Sequence, residues 1–232
     1  MSVIREITDS TSASRLGMLR GRIAVLVHSG SRGLGEAVGA RWRNRSVQGA
    51  DLDKYLGQHA GACRFATSNR LLLGYRLLRC LGVTGSTGIL GHFDVIHNDV
   101  RCERFDGEDV WVHRKGAAPA HEGEATVVLG SRGAPSRVML GHGLDAALRS
   151  VAHGAGRRMS RTLARSRLES RFGRQDLKRT PLGGRVLCDD SALLYEEHPD
   201  AYKPIEQIIG ALEGASAAHR VASLEPIITV KL

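Results

Sequence analysis

The sequence predicts an α+β fold in which histidines at strand ends line a central cleft. Three observations carry this expectation. Short apolar, β-branched runs recur along the chain, and several end on a histidine or a basic residue followed by a glycine-rich turn. One long stretch, residues 52–81, has helical periodicity and contains no proline. No tandem repeat links these elements, so they belong to one mixed layer architecture rather than to a solenoid.

The elements follow in order. Residues 1–14 are polar and rich in Ser and Thr, and read as a loose leader in front of a single domain over 15–232. Arg22-Ile23-Ala24-Val25-Leu26-Val27 reads as a buried strand that delivers His28 to the turn Ser29-Gly30-Ser31-Arg32-Gly33. A basic helix is expected over 36–45 with Trp42 as its anchor. Asp51 is the expected N-cap of the long helix, whose Leu56, Phe65, Leu72, Leu73 and Leu77 fall mostly on one face. Gly82 to Gly88 is a flexible loop, because it lacks the Gly-Lys-Ser/Thr ending of a phosphate loop. Short strands are expected at 94–97, ending on His97, at 110–116, and at 125–129 before Gly130-Ser131-Arg132-Gly133. A helix over 158–168 precedes an arginine-rich linker, 165–185, broken by Pro181-Leu182-Gly183-Gly184. Val186-Leu187-Cys188 reads as a strand and 202–212 as a helix packing Ile205, Ile208, Ile209 and Leu212. An apolar strand over 226–232 carries Lys231 at its tip.

Composition narrows the partner class. Lys and Arg number 33 against 24 Asp and Glu, a formal net charge of +9 that favours a polyanion: nucleic acid first, nucleotide second, a membrane surface third. Arginine dominates, which suits bidentate phosphate contacts. Aromatics make up only 4% of the chain, which excludes a platform that stacks successive bases on rings. Cys63, Cys80, Cys102 and Cys188 are scattered without a CxxC pair, and read as reduced, mostly buried thiols rather than a disulfide frame or a zinc ribbon. No signal peptide is visible and no apolar run approaches the roughly 20 residues of a membrane span. A cytoplasmic, membrane-free protein is the expectation.

The chemistry centres on Ser150-Val151-Ala152-His153-Gly154-Ala155-Gly156-Arg157-Arg158. A histidine followed by Gly-Ala-Gly stands beside backbone with little side-chain bulk, where main-chain N–H groups can approach an anion. A neutral imidazole is a competent nucleophile toward phosphorus, and the expected helix after it would add partial positive charge. Taken alone, the segment fits a helix-capping turn equally well.

The segment closely resembles the active-site signature of the RtcB-type RNA ligases. In the same order the chain carries His28-Ser29-Gly30-Ser31-Arg32-Gly33-Leu34-Gly35, Ser68-Asn69-Arg70, His97-Asn98, Val112-His113-Arg114-Lys115-Gly116-Ala117, Ala201-Tyr202-Lys203 and Lys231. The resemblance covers residue 15 to the C-terminus. It implies an RtcB-like mixed fold, incomplete at its N-terminal side, and a GTP- and Mn-dependent enzyme of RNA repair or tRNA splicing. Such an enzyme joins RNA 3′-phosphate or 2′,3′-cyclic phosphate ends to 5′-hydroxyl ends through a guanylylated histidine, here His153. It implies manganese ligation by His28 and His97. Nucleotide contacts are implied for Asn98, Gly130, Ser131, Arg132, Ser136, Gly154, Ala155, Gly156, Tyr202 and Lys231, and RNA-phosphate contacts for Arg32, Arg70, Arg114, Lys115 and Arg157. His28, His97 and His153 should then converge on one small volume. The family's Asp-x-x-Cys pair, a further histidine and its Asn-His-Phe segment have no counterpart in this sequence; His92-Phe93 comes too late in the chain. Two alternatives follow: one half of a split ligase completed by a second polypeptide, or an inactive GTP- and RNA-binding remnant. A generic basic RNA-binding module fits the charge and leaves the histidines without a role.

Overall fold

The computed structural model describes residues 1–231; Leu232, the last residue of the expected terminal strand, lies outside the described residues. The chain begins with β1 (Ser2–Ile7), α1 (Ser10–Arg15) and β2 (Ile23–Ala24), followed by α2 (Gly33–Trp42) and α3 (Gly49–Cys80). Next come β3 (Asn98–Phe105), β4 (Glu108–Lys115), β5 (Ala117–Pro119), β6 (Ala125–Val128), β7 (Ser136–Gly141) and β8 (Ser150–Ala152). The last third holds α4 (Arg161–Leu168), β9 (Arg185–Cys188), α5 (Ser191–Glu196), α6 (Ile205–Gly214), β10 (Ala218–Pro226) and β11 (Ile228–Lys231). The mixed α and β character expected from the sequence is present. The chain divides into two compact units, residues 1–24, 91–97 and 116–232 in the first, 25–90 and 98–115 in the second.

The first unit is organised on a five-stranded antiparallel sheet in the order β2-β1-β10-β7-β6. Its central strand, β10, pairs with β1 on one side and β7 on the other; the register with β1 slips at Arg5 and that with β7 at Val221. Just past β1, Thr8 N–H reaches the Val221 carbonyl at 2.8 Å. Met139, Val128, Ile205, Ile209 and Ala218 form the core between sheet and α6, joined by Ala118 and Val151 from the small β5–β8 pair. A satellite core of Leu168, Leu177, Val186, Leu194 and Tyr195 lies under α4, α5 and β9. β9 and β11 run parallel as a separate two-stranded ribbon.

The structure corrects several expectations in this unit. Residues 2–7, expected as a loose leader, are an inner strand with Ser2 and Ile4 buried. The strand expected over 22–27 is only β2, which pairs with β1 at Ser2–Ala24 and Val3–Ile23, while Met1 bonds to Ile227 and Ile228 instead. Residues 94–97 form no strand; Val95 instead packs against the main core, and His97 precedes β3 rather than ending a strand. Helix α4 starts at Arg161, capped by the Ser160 hydroxyl accepting from Leu163 N–H, so its first turn is not spliced onto His153. Helix α6 starts after Pro204, which has no N–H to donate to a preceding turn, and Tyr202 stays outside it.

The second unit holds α2, α3 and the β3–β4 hairpin. Trp42 is buried at the end of α2 and donates from Nε1 to Gln58 Oε1 of α3 at 2.7 Å, the anchoring role expected of it. Helix α3 runs 32 residues, as periodicity suggested, but Asp51 lies in its first turn and the cap is Gln48. The large apolar residues do not form a buried stripe: Phe65 and Leu72 are each 48% exposed, whereas Ala62 and Ala66 are buried. At Gly74 an added Cβ would make ordinary contact, 3.8 Å, with the Val27 side chain. None of the four cysteines is buried, contrary to expectation; Cys80 and Cys102 are exposed.

Candidate functional site

His153 follows β8 directly, and of the three expected strand-end histidines it alone follows a strand. Pairing of Ala152 with Ala117 brings the chain back to Gly116, whose carbonyl lies 2.6 Å from His153 Nδ1. A carbonyl only accepts, so Nδ1 carries a proton, and in the neutral imidazole the lone pair is then on Nε2. Gly116 has φ +71°, a left-handed conformation that glycine adopts without penalty, and this turn aims the carbonyl. The His97 ring stacks on His153 with centroids 4.7 Å apart and planes 10° from parallel. The structure therefore brings a residue expected as metal ligand against the expected nucleophile within one unit. His28 belongs to the second unit.

The loop after β6 is stitched to the histidine segment. Leu129 N–H donates to His153 O and Ala155 N–H donates to Leu129 O, both at 2.9 Å. Gly130 N–H donates to the Ser136 hydroxyl at 3.1 Å, and Gly133 N–H to the Ser131 hydroxyl at 3.3 Å. The loop expected to touch nucleotide and the segment holding His153, Gly154 and Ala155 are thus one hydrogen-bonded surface. Gly130 fits only without a side chain, since a Cβ would lie 2.2 Å from the Pro135 carbonyl oxygen. Gly130→Ala should destabilise the fold by about 1–3 kcal/mol through this backbone clash; a denaturation midpoint equal to wild type would contradict the loop geometry.

Tyr202 and Lys231, far apart in sequence, meet at Glu197, a residue that sequence reasoning missed. The Tyr202 hydroxyl donates to Glu197 Oε2 at 2.5 Å, and Lys231 Nζ lies 3.4 Å from the same oxygen. Arg157 donates to Glu197 Oε1 at 3.3 Å, to the Tyr202 hydroxyl at 3.2 Å and to the Glu196 carbonyl at 2.7 Å, with its guanidinium over the Tyr202 ring. This arginine, expected on RNA phosphate, is engaged in the tyrosine's cradle. Burial pushes the Glu197 carboxyl up, but Tyr202, Lys231 and Arg157 outweigh it and hold the group below its ordinary value. Burial and the bond to Glu197 push Tyr202 up to about 12. The only local signal of Glu197 was an acidic pair, Glu196-Glu197, preceding His198.

Arg132 is buried, its guanidinium lowered from its ordinary value by desolvation, and its Nη1 has no hydrogen-bond partner among the described residues. It lines a cavity of about 300 Å³ together with Phe172, Arg179, Thr180, His198 and Pro199.

In the second unit, Asn69 donates to the Ser29 hydroxyl at 3.0 Å and to the Gly30 carbonyl at 3.2 Å, while Arg70 donates to the Ser29 carbonyl at 3.0 Å. The Asn-Arg pair of α3 thereby fixes the turn that follows His28. Arg32 caps α2 with φ +53° and is exposed. Arg114 is buried and paired with Glu103 at 2.5 Å across the hairpin, so the exposed basic residue at this end is Lys115. Asn98, the first residue of β3, accepts at its backbone carbonyl from the Cys63 thiol at 3.9 Å. Among the described residues no helix is long and apolar enough to cross a membrane.

Comparison with known proteins places this geometry. The family model described as tRNA-splicing ligase RtcB matches residues 1–51 and 45–232. The chain is 36% identical over 234 residues to the RNA-splicing ligase RtcB2 of Escherichia coli, covering 98% of this chain and 60% of that protein. It is 28% identical to the tRNA-splicing ligase RtcB of Archaeoglobus fulgidus, covering 97% and 55% respectively. With the RNA-splicing ligase RtcB of Mycobacterium tuberculosis it shares 29% identity, over 100% of this chain and 62% of the relative. The chain therefore spans between 55% and 62% of the length of these three relatives. With matches that run over essentially all of its residues, this chain belongs to the RtcB family.

Proposed function

We propose that this chain supplies the guanylyl-transfer part of a GTP- and manganese-dependent RNA ligase. That enzyme joins 3′-phosphate or 2′,3′-cyclic phosphate ends to 5′-hydroxyl ends. The observation that supports this most is the Gly116 carbonyl on His153 Nδ1, which leaves the lone pair on Nε2. Nε2 attacks the α-phosphorus of GTP, the bond to the pyrophosphate oxygen breaks, and pyrophosphate leaves. The guanylate then passes to the RNA 3′-phosphate, and the 5′-hydroxyl displaces GMP. Gly130, Ser131, Ser136, Gly154, Ala155 and Gly156 provide narrow backbone beside the nucleophile. Asn98 and Arg132 complete the nucleotide contacts, and the Tyr202–Glu197–Lys231 group offers an aromatic face, an acceptor and a cation for the base. Arg32, Arg70 and Lys115, with the net charge of +9, suit RNA backbone.

In this reading His28 and His97 hold manganese, which when bound neutralises phosphate charge. Two imidazoles do not satisfy an ion that favours oxygen donors. The anionic donors that the family resemblance calls for have no counterpart in this sequence. In this reading those donors come from outside these residues; a split ligase, with a second polypeptide supplying them, and an inactive remnant are the two alternatives.

With manganese and GTP labelled on the α-phosphate, the chain alone should label about 10²–10³-fold more weakly than with a front-half polypeptide from a family member added. Strong labelling alone would show the metal shell to be sufficient without those donors. No labelling in either case would favour the remnant. Binding of a short single-stranded RNA should weaken steeply with salt, because it rests on counterion release. An affinity unchanged between two salt concentrations would contradict the electrostatic reading.

A further inference from the structure

Helix α3 carries His59 and Cys63 at i and i+4, on one face, and the start of β3 brings Asp99 to the same place. One candidate donor atom from each residue lies within 4.8 Å of the other two. The Cys63 sulfur is 3.8 Å from His59 Nε2. A tetrahedral ion with bonds of about 2.3 Å to sulfur and about 2.0 Å to nitrogen would set such donors roughly 3.5 Å apart. The pair is therefore close to a bidentate bite before any ion arrives. The Tyr55 ring, with its centroid 5.9 Å from that of His59, limits the imidazole's freedom.

Asp99 adds a buried anion: it is only 7% exposed, its Oδ1 accepts from Val100 N–H at 3.0 Å, and its Oδ2 is ion-paired with the Arg101 guanidinium, which a bound cation would displace or share. Arg64, Arg70 and Arg101 stand near enough to Cys63 to act on its charge, so a cation here needs anionic ligands to offset them.

We propose that His59, Cys63 and Asp99 form a three-ligand site for a zinc-class divalent cation, with a fourth position for water. Thiolate and imidazole select zinc or cobalt over manganese or magnesium, and thiolate plus carboxylate neutralise the ion's two charges. The Cys63 proton is released to solvent on binding. The site lies wholly in the second unit, shares no residue with the nucleotide and manganese assignments above, and stands or falls separately from them.

Cobalt(II) titration of the chelator-stripped full chain tests it. The first equivalent should produce a thiolate-to-cobalt charge-transfer band with strong four-coordinate d–d absorption, and zinc should displace both. Cys63→Ser should remove the charge-transfer band and weaken zinc binding by more than the roughly 10–100-fold typical of losing an outer-shell partner. His59→Gln and Asp99→Asn should each weaken zinc, while Cys188→Ser and Cys80→Ser should leave the spectrum as in wild type. Helix content of Cys63→Ser is checked by circular dichroism; if it falls, His59→Gln, which keeps the thiol, decides the question. Absence of the band in wild type, its survival in Cys63→Ser, or its loss in Cys188→Ser would overturn the site.

Discussion

Alanine at position 153 is expected to remove guanylate labelling of the chain, a loss of more than about 10³-fold with the front-half polypeptide present. The reasoning is local. A neutral imidazole attacks phosphorus through its unprotonated nitrogen, and the Gly116 carbonyl on Nδ1 makes that nitrogen Nε2 of His153. His97 is the rival, since its ring lies 4.7 Å from that of His153. Labelling that survives His153→Ala, or that moves to His97, would take the nucleophile role from His153. The fold should tolerate the substitution, because His153 lies at a strand end outside the main hydrophobic core.

Glu197→Ala is expected to cost about 2–4 kcal/mol of stability and to weaken nucleotide binding. The carboxylate accepts from Tyr202 and draws Arg157 and Lys231 together, and its side chain is only 14% exposed. Removing it leaves two cations and a hydroxyl facing one another without an acceptor. The lower part of the range is favoured because Lys231 is 38% exposed and its charge is partly screened. The pH dependence has a definite sign. The folded value of Glu197 is lowered from 4.5, so its contribution is present above that pH and is lost as pH falls through the folded value. Tyr202 has the opposite sense: raised from 10 to about 12, it contributes below pH 10 and the contribution is lost as pH rises toward 12. Denaturation midpoints of wild type and Glu197→Gln should converge on acidification. A constant gap from neutral pH to pH 3 would contradict the buried ion cluster.

What could be read in the sequence was what depends on neighbours a few residues away. Periodicity marked α3, and the apolar runs marked β4, β6 and β9, because these elements carry their own pattern. The central strand β10 was missed: His219, Arg220, Ser223 and Glu225 interrupt its apolar residues, and its identity comes from β1 and β7, distant partners that the local pattern does not name. The same holds for β1, whose six residues look like polar leader until β10 pairs with them. The His153 segment stood out in the sequence because glycines mark it. Glu197 was not, because only folding brings Tyr202, Arg157 and Lys231 to it. Gly116 showed in the sequence as part of a basic motif, yet its part is played by a backbone carbonyl, which no residue type announces. His59 and Cys63 have ligand spacing on a helix, but the third donor comes from a strand and could not be paired with them by spacing alone.

The central claim is that His153 presents Nε2, with Nδ1 held protonated by Gly116, as the atom that takes guanylate. The most direct measurement uses chain labelled with ¹⁵N-histidine, guanylylated in the presence of the front-half polypeptide, with the phosphorus-bearing nitrogen assigned by NMR. Phosphorus on Nε2 of His153, with the proton retained on Nδ1, is the expected result. Phosphorus on Nδ1, or on any other residue, would contradict it.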